Sequence, residues 1–68
     1  MAMSTNTQTG YSAADIRAVR GVVNESQSAF GARFGVTRAT IAKWEEQGPP
    51  AEGTYALLLA RIIPELMG

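Results

Sequence analysis

The chain contains no cysteine and no histidine. Without cysteine there is neither a disulfide staple nor a thiolate zinc site. Without histidine the usual general base and the commonest metal ligand are both missing. Charged residues are sparse, at 18%, and the six Lys+Arg balance the six Asp+Glu. No nucleophile–base pair and no metal-ligand constellation can be assembled from what remains, so enzyme chemistry is not expected and no cofactor or metal is implied. Glu45 and Glu46 are adjacent carboxylates, but neighbours on a helix point about 100° apart and form no shared site. Long apolar runs are missing as well. The uncharged stretch Gly53–Ala60 is far below the roughly 20 residues that cross a bilayer. The opening MAMSTNTQTG has neither a basic start nor an apolar run, unlike a signal peptide. These absences predict a small soluble protein of a reducing compartment, cytoplasmic and not associated with membranes.

What is present is a 68-residue chain that is 46% hydrophobic. A chain of this length makes one domain and buries only about 60% of the surface its unfolded form exposes. A catalytic cleft between two domains is therefore excluded. The zero net charge conceals an uneven distribution. Residues 26–44 hold Arg33, Arg38 and Lys43 with no acid. Residues 45–68 hold Glu45, Glu46, Glu52 and Glu65 against Arg61 alone. For a polyanionic partner the local sum matters more than the total.

The first eleven residues are polar and aperiodic, which reads as a solvated tail before a domain over 12–68. SAAD at Ser12–Asp15 is a capping box with Asp in place of Glu, and it opens a first helix. Ile16, Val19 and Val23 give that helix an inward face, and Asn24 can end it in the left-handed conformation. Ser26 caps a second helix over Gln27–Phe34, with Ala29, Phe30, the Arg33 stem and Phe34 as its apolar face. Gly35 makes a bend with positive φ. Thr37 caps a third helix over Arg38–Gln47. On it Ile41, Trp44 and Glu45 share one face, while Arg38, Ala39, Ala42, Lys43 and Glu46 look outward. Gly48-Pro49-Pro50 ends that helix. A fourth starts near Thr54 with Tyr55, Leu58, Leu59 and Ile62 as its core stripe, and Pro64 bends or stops it. No strand pattern competes. The expected fold is all-α, with four to five helices.

Two short helices joined by a tight glycine-containing corner, with an aromatic anchor behind them, form a helix-turn-helix unit. Here the unit is SQSAFGARFGVTRATIAKW, Ser26–Trp44. Gly31 lies where the helices cross and has to be small, while Val36, Ile41 and Trp44 fasten the third helix to the core. The third helix's opposite face is then free to enter a groove.

In IRAVR at Ile16–Arg20, SQ at Ser26–Gln27, FG at Phe30–Gly31, GVT at Gly35–Thr37 and IAKWE at Ile41–Glu45, the chain resembles the Cro/repressor-type, XRE-like family of helix-turn-helix DNA-binding regulators. The likeness spans residues 12–63. It implies a lambda-repressor-like small helical fold and a double-stranded DNA partner read through the major groove. By that resemblance Thr37, Arg38, Ala39, Ala42 and Lys43 face base edges. Arg38 and Lys43 suit guanine O6 and N7 best. Gln27, Ser28, Arg33, Thr40 and Arg17 are the implied phosphate contacts. For Gln27 the alternative is an idle residue at a helix start, and for Arg33 simple exposure to solvent. For Arg17 it is a local pair with Asp15 or Glu25. Arg20 and Glu45 match a buried ion pair of the family. Two departures stand out. Asn24 and Glu25 occupy places usually held by Gly and an apolar residue, so no hydrophobic staple precedes the second helix. After Trp44 no Lys or Arg appears before Arg61, so the following loop adds no cation for phosphate. About three phosphate neutralisations give a shallow salt slope of roughly −2 to −3. One copy then binds weakly, which favours a dimer on an inverted-repeat operator.

The last helix is apolar nearly all round, the mark of one covered on more than one side. Leu57, Ala60, Ile63 and Met67 are the expected homodimer surface. In the family, stand-alone domains of this size are often autorepressors in phage, plasmid or mobile-element operons, antitoxins and anti-CRISPR-associated regulators among them. That implies action in the cytoplasm of a bacterial or phage-infected cell. The rival reading is an antitoxin-like interaction module that binds a cognate protein through this apolar helix, with DNA contact secondary.

Overall fold

The computed structural model describes residues 11–68. Four helices follow in order: α1 (Ala13–Val23), α2 (Gln27–Phe34), α3 (Arg38–Gln47) and α4 (Thr54–Met67), with no strand among the described residues. The all-α expectation therefore holds. Residues 1–10 of the expected solvated tail lie outside the described residues. Tyr11 is half-buried and packs against the core, so it belongs to the folded unit and not to a tail.

Three helix starts are written locally. The Ser12 hydroxyl accepts from Asp15 N, and the Asp15 carboxylate accepts from Ser12 N, which completes the capping box. Ser26 Oγ accepts from Ala29 N and Thr37 Oγ1 from Thr40 N. Each cap satisfies an amide that the helix cannot pair internally. At the end of α1, Asn24 adopts φ 55° and the amides of Asn24 and Glu25 donate back to Arg20 O. Gly35 closes α2 at φ 72°, where a side chain would be strained.

The core is a single cluster of Ile16 and Val19 from α1, Phe30 and Phe34 from α2, Ile41 and Trp44 from α3, and Leu59 and Ile63 from α4. Phe30, Phe34, Trp44 and Tyr55 form a chain of edge-on aromatic pairs with centroids 5.1, 5.9 and 5.8 Å apart. This preferred ring geometry links α2 to α3 and α3 to the start of α4.

Gly31 is where α2 meets the α2–α3 corner. A β-carbon there would lie 2.7 Å from Val36 O and 3.1 Å from Ile41 Cγ1. The first obstacle is backbone and cannot rotate away. Gly31→Ala is expected to cost about 2 kcal/mol through overpacking, which thermal unfolding would read as a fall in Tm of roughly 10 °C.

The structure corrects three details of packing. Ala29 is exposed and not part of the apolar face of α2. The core stripe of α4 is Ala56, Leu59 and Ile63, while Tyr55 is 40% exposed and Leu58 and Ile62 are half-buried. Pro64 does not stop α4, which continues to Met67. Proline removes the N–H that would bond the carbonyl four residues earlier and its ring crowds that carbonyl; the carbonyl belongs to Ala60, an exposed residue. No described helix is long and apolar enough to cross a membrane.

Candidate nucleic-acid interface

The cross-linking of the helices decides which charges are left over. Glu45, on the inward side of α3, is only 8% exposed. Its carboxylate accepts from Arg20 Nε at 2.5 Å and from Arg20 NH2 at 3.2 Å. Gln27 Nε2 adds a third bond at 3.1 Å, and Arg17 donates to the Glu45 backbone carbonyl. The remaining Arg20 donor holds Glu25 O at 3.0 Å. One carboxylate thus ties α1, α2 and α3 together. The Arg20 hydrogen bonds hold the Glu45 carboxyl below the usual carboxylate range, against the opposing effect of burial and with help from Gln27. The same contact pushes the Arg20 guanidinium up. The expected Arg20–Glu45 pair is present.

A second pair lies nearer the surface. Arg33 Nε and NH2 grip the Glu25 carboxylate at 2.8 and 2.7 Å, a fork-to-fork contact. Hydrogen bonding from Arg33 lowers the Glu25 pKa, and Arg33 is raised in turn. Glu25 thus meets Arg33 in an exposed ion pair at the entry of α2, the place where an apolar staple would otherwise sit.

These contacts place the sequence-derived residues in two groups. Thr37, Arg38, Ala39 and Lys43 are exposed along one side of α3, with Ala42 and Thr40 half-buried beside them. Arg38 and Lys43 make no ion pair or side-chain hydrogen bond among the described residues. Of the phosphate candidates, Ser28 is exposed. Arg17, Gln27 and Arg33 are already engaged, with the Glu45 carbonyl, the Glu45 carboxylate and Glu25 respectively. Neither local partner suggested for Arg17 is used. Asp15 caps α1, and Glu25 takes Arg33. The Thr40 hydroxyl lies 3.3 Å from that of Thr37, so these two side chains stiffen the first turn of α3 together.

Of the residues expected at a dimer surface, Leu57 is 69% and Met67 53% exposed, and Ala60 is exposed too. Ile63 is 3% exposed and belongs to the core of its own chain. This corrects its assignment: with Ala56 and Leu59 it marks the side of α4 that faces inward, and Leu57, Ala60 and Met67 mark the other.

Sequence reasoning missed the second role of Gln27 and the bracing of α3 by Arg17. A long polar side chain at a helix start carries no sign of which carboxylate the fold brings near. It also missed a cleft of about 350 Å³ at the far end of α3, between Thr40, Lys43, Trp44, Pro49, Pro50 and Tyr55. The described residues hold no cluster of acidic or other ligating side chains able to take a metal ion. No family model matches the chain, and no curated protein or solved structure matches it either.

Proposed function

We propose that this protein is a sequence-specific DNA-binding transcriptional regulator of the Cro/repressor type, a dimeric autorepressor that reads an inverted repeat through the major groove. The observation that carries the reading is the arrangement of charge on α3. Four of the six cations are Arg17, Arg20, Arg33 and Arg61, of which the first three are spent on contacts within the domain. Arg38 and Lys43 are left outward on a helix whose opposite side is anchored by Ile41, Trp44 and Glu45. A helix held by one face and exposing small and cationic side chains along most of the other, with the exposed Glu46 confined to its last turn, fits a major groove about 12 Å wide. Ala39 and Ala42 keep that face slim. α2, the Gly35–Thr37 corner and α3 form the helix-turn-helix in this reading, and the cytoplasm is its place of action.

Selection of duplex DNA from a random library by the purified protein tests the proposal, with footprinting upstream of its own gene as the second arm. An inverted repeat with half-site centres about 34 Å apart is the expected result. Absence of any enriched sequence at low salt would overturn it.

Dimerisation is assigned to the outward stripe Leu57, Ala60 and Met67, because exposed apolar residues clustered on one helix gain most by mutual burial. Leu57→Glu combined with Met67→Glu is expected to leave a folded monomer in sedimentation and to weaken operator binding more than about tenfold, since each half-site then binds alone. The same exposed stripe is what favours the second reading, a module that docks a partner protein through α4. A variant that loses a co-purifying protein but keeps its DNA affinity would support that alternative.

A further inference from the structure

We infer that the cleft between the end of α3 and the start of α4 is a binding site for a small apolar carboxylate, and that its occupant competes with DNA for Lys43; the competition, though not the site, rests on the reading proposed above. The cleft has a volume of about 350 Å³, within the usual range for small-molecule sites at its lower end. It is lined by Tyr55, Pro49 and Pro50 and by the small exposed part of Trp44, with Lys43 and Thr40 as the polar members. Trp44 and Tyr55 meet edge-on, with centroids 5.8 Å apart, so the exposed Tyr55 ring is held rigidly against a buried indole and gives an apolar group a fixed surface to pack against. Tyr55 is 40% exposed although its ring contacts a core tryptophan.

The chemistry of the walls selects the occupant. Lys43 has no acidic partner among the described residues, so a carboxylate gains a charge-assisted contact without breaking another. A nucleic-acid phosphate fits the loop side of the cleft poorly. Pro49 and Pro50 have no N–H to offer, and residues 48–53 contain Glu52 and no cation. A cation is disfavoured by Lys43 itself. A ring or short alkyl chain ending in a carboxylate uses both halves of the site. Because Lys43 and Thr40 also belong to the side of α3 assigned to DNA, a bound ligand withdraws one of its two outward cations.

Trp44 is the chain's single tryptophan, so its emission reports the cleft directly. The probe is phenylacetate, titrated into the intact protein without DNA and followed by Trp44 fluorescence and by amide NMR shifts. Saturable binding with a Kd on the order of 1 mM is expected for a ligand this small, with shifts centred on Thr40, Lys43, Trp44, Gly48 and Tyr55. The neutral isostere phenylacetamide should bind about tenfold more weakly. Lys43→Met should produce the same loss for phenylacetate, and Tyr55→Ala should weaken both compounds. Arg38→Ala should change neither. A linear, non-saturating response overturns the site, and equal binding of acid and amide overturns the carboxylate assignment. With a selected operator in hand, saturating phenylacetate should raise the DNA Kd several-fold, whereas an unchanged DNA Kd overturns the competition. Saturable binding by a protein that selects no DNA sustains the site and overturns the regulatory reading alone.

Discussion

Replacing Arg38 and Lys43 together by alanine is expected to lower operator affinity at least about 100-fold and to leave the folded domain intact. A well-placed pair of hydrogen bonds to a base is worth about 1–3 kcal/mol of discrimination, so two such side chains in each subunit account for that loss. Neither side chain is engaged by an ion pair or a side-chain hydrogen bond among the described residues. Exposed substitutions without partners change stability by about 0.5 kcal/mol or less each, at most about 1 kcal/mol for the pair, so Tm should move by no more than roughly 8 °C. Arg38→Lys separates charge from geometry. It keeps the cation but loses the planar fork, and its expected effect is relaxed sequence preference with a nearly unchanged salt slope. Binding measured over a salt series, on a selected site and on random duplex, checks both. Undiminished operator affinity in the double variant would sink the assignment of α3.

The largest stability effect is expected at Glu45. Glu45→Ala removes the shared acceptor of Arg20 and Gln27 and leaves Arg20, whose side chain is 29% exposed, without its counter-charge. Breaking one side of a buried pair costs about 3–5 kcal/mol. The partial exposure of Arg20 puts this case near the lower figure, about 3 kcal/mol, or roughly 15 °C in Tm. The pH dependence follows from the direction of the shift. The carboxyl is held below its ordinary value of 4.5 in the folded chain. Its contribution is thus complete above that value and is lost as pH falls through the lower folded-state pKa. Glu45→Gln should therefore be less stable than the parent at neutral pH and show a flatter acid limb, the two curves converging at low pH. Glu25 is shifted in the same direction by Arg33, but that pair is exposed to solvent and screening leaves it little weight. Replacing both partners, as Arg20→Met with Glu45→Leu, should recover most of what Glu45→Ala loses. Thermal unfolding followed by circular dichroism between about pH 3 and 7 reads the parent and all three variants. An acid limb in Glu45→Gln as steep as the parent's would show that other carboxyls set the acid sensitivity.

Destabilisation at Glu45 should also reach DNA binding, though indirectly. Glu45 stands one turn beyond Ile41 on the anchored side of α3, and Arg17 holds its carbonyl. Loosening that end shifts the angle at which Arg38 and Lys43 are presented, so affinity is expected to fall without any contact being removed.

The sequence by itself determined where the helices run. Ser12, Ser26 and Thr37 act on amides three residues away, and Asn24, Gly35 and Gly48 end helices through conformations set by their own backbone preferences. Such interactions are complete within one turn and need no knowledge of the fold. The inward faces of α1 and α3 were equally legible, because their apolar residues recur at helical spacing among polar ones. The Arg20–Glu45 pair was legible only through the family resemblance. Tertiary structure alone decided the rotation of α4, where apolar residues occur nearly all round and periodicity cannot choose a side. Contact with α1 and α2 drew in Ala56, Leu59 and Ile63 and left Leu57 and Met67 outside. It also decided which cations remain available, since pairing over 25 residues, as between Arg20 and Glu45, depends on where three helices cross and not on any local pattern.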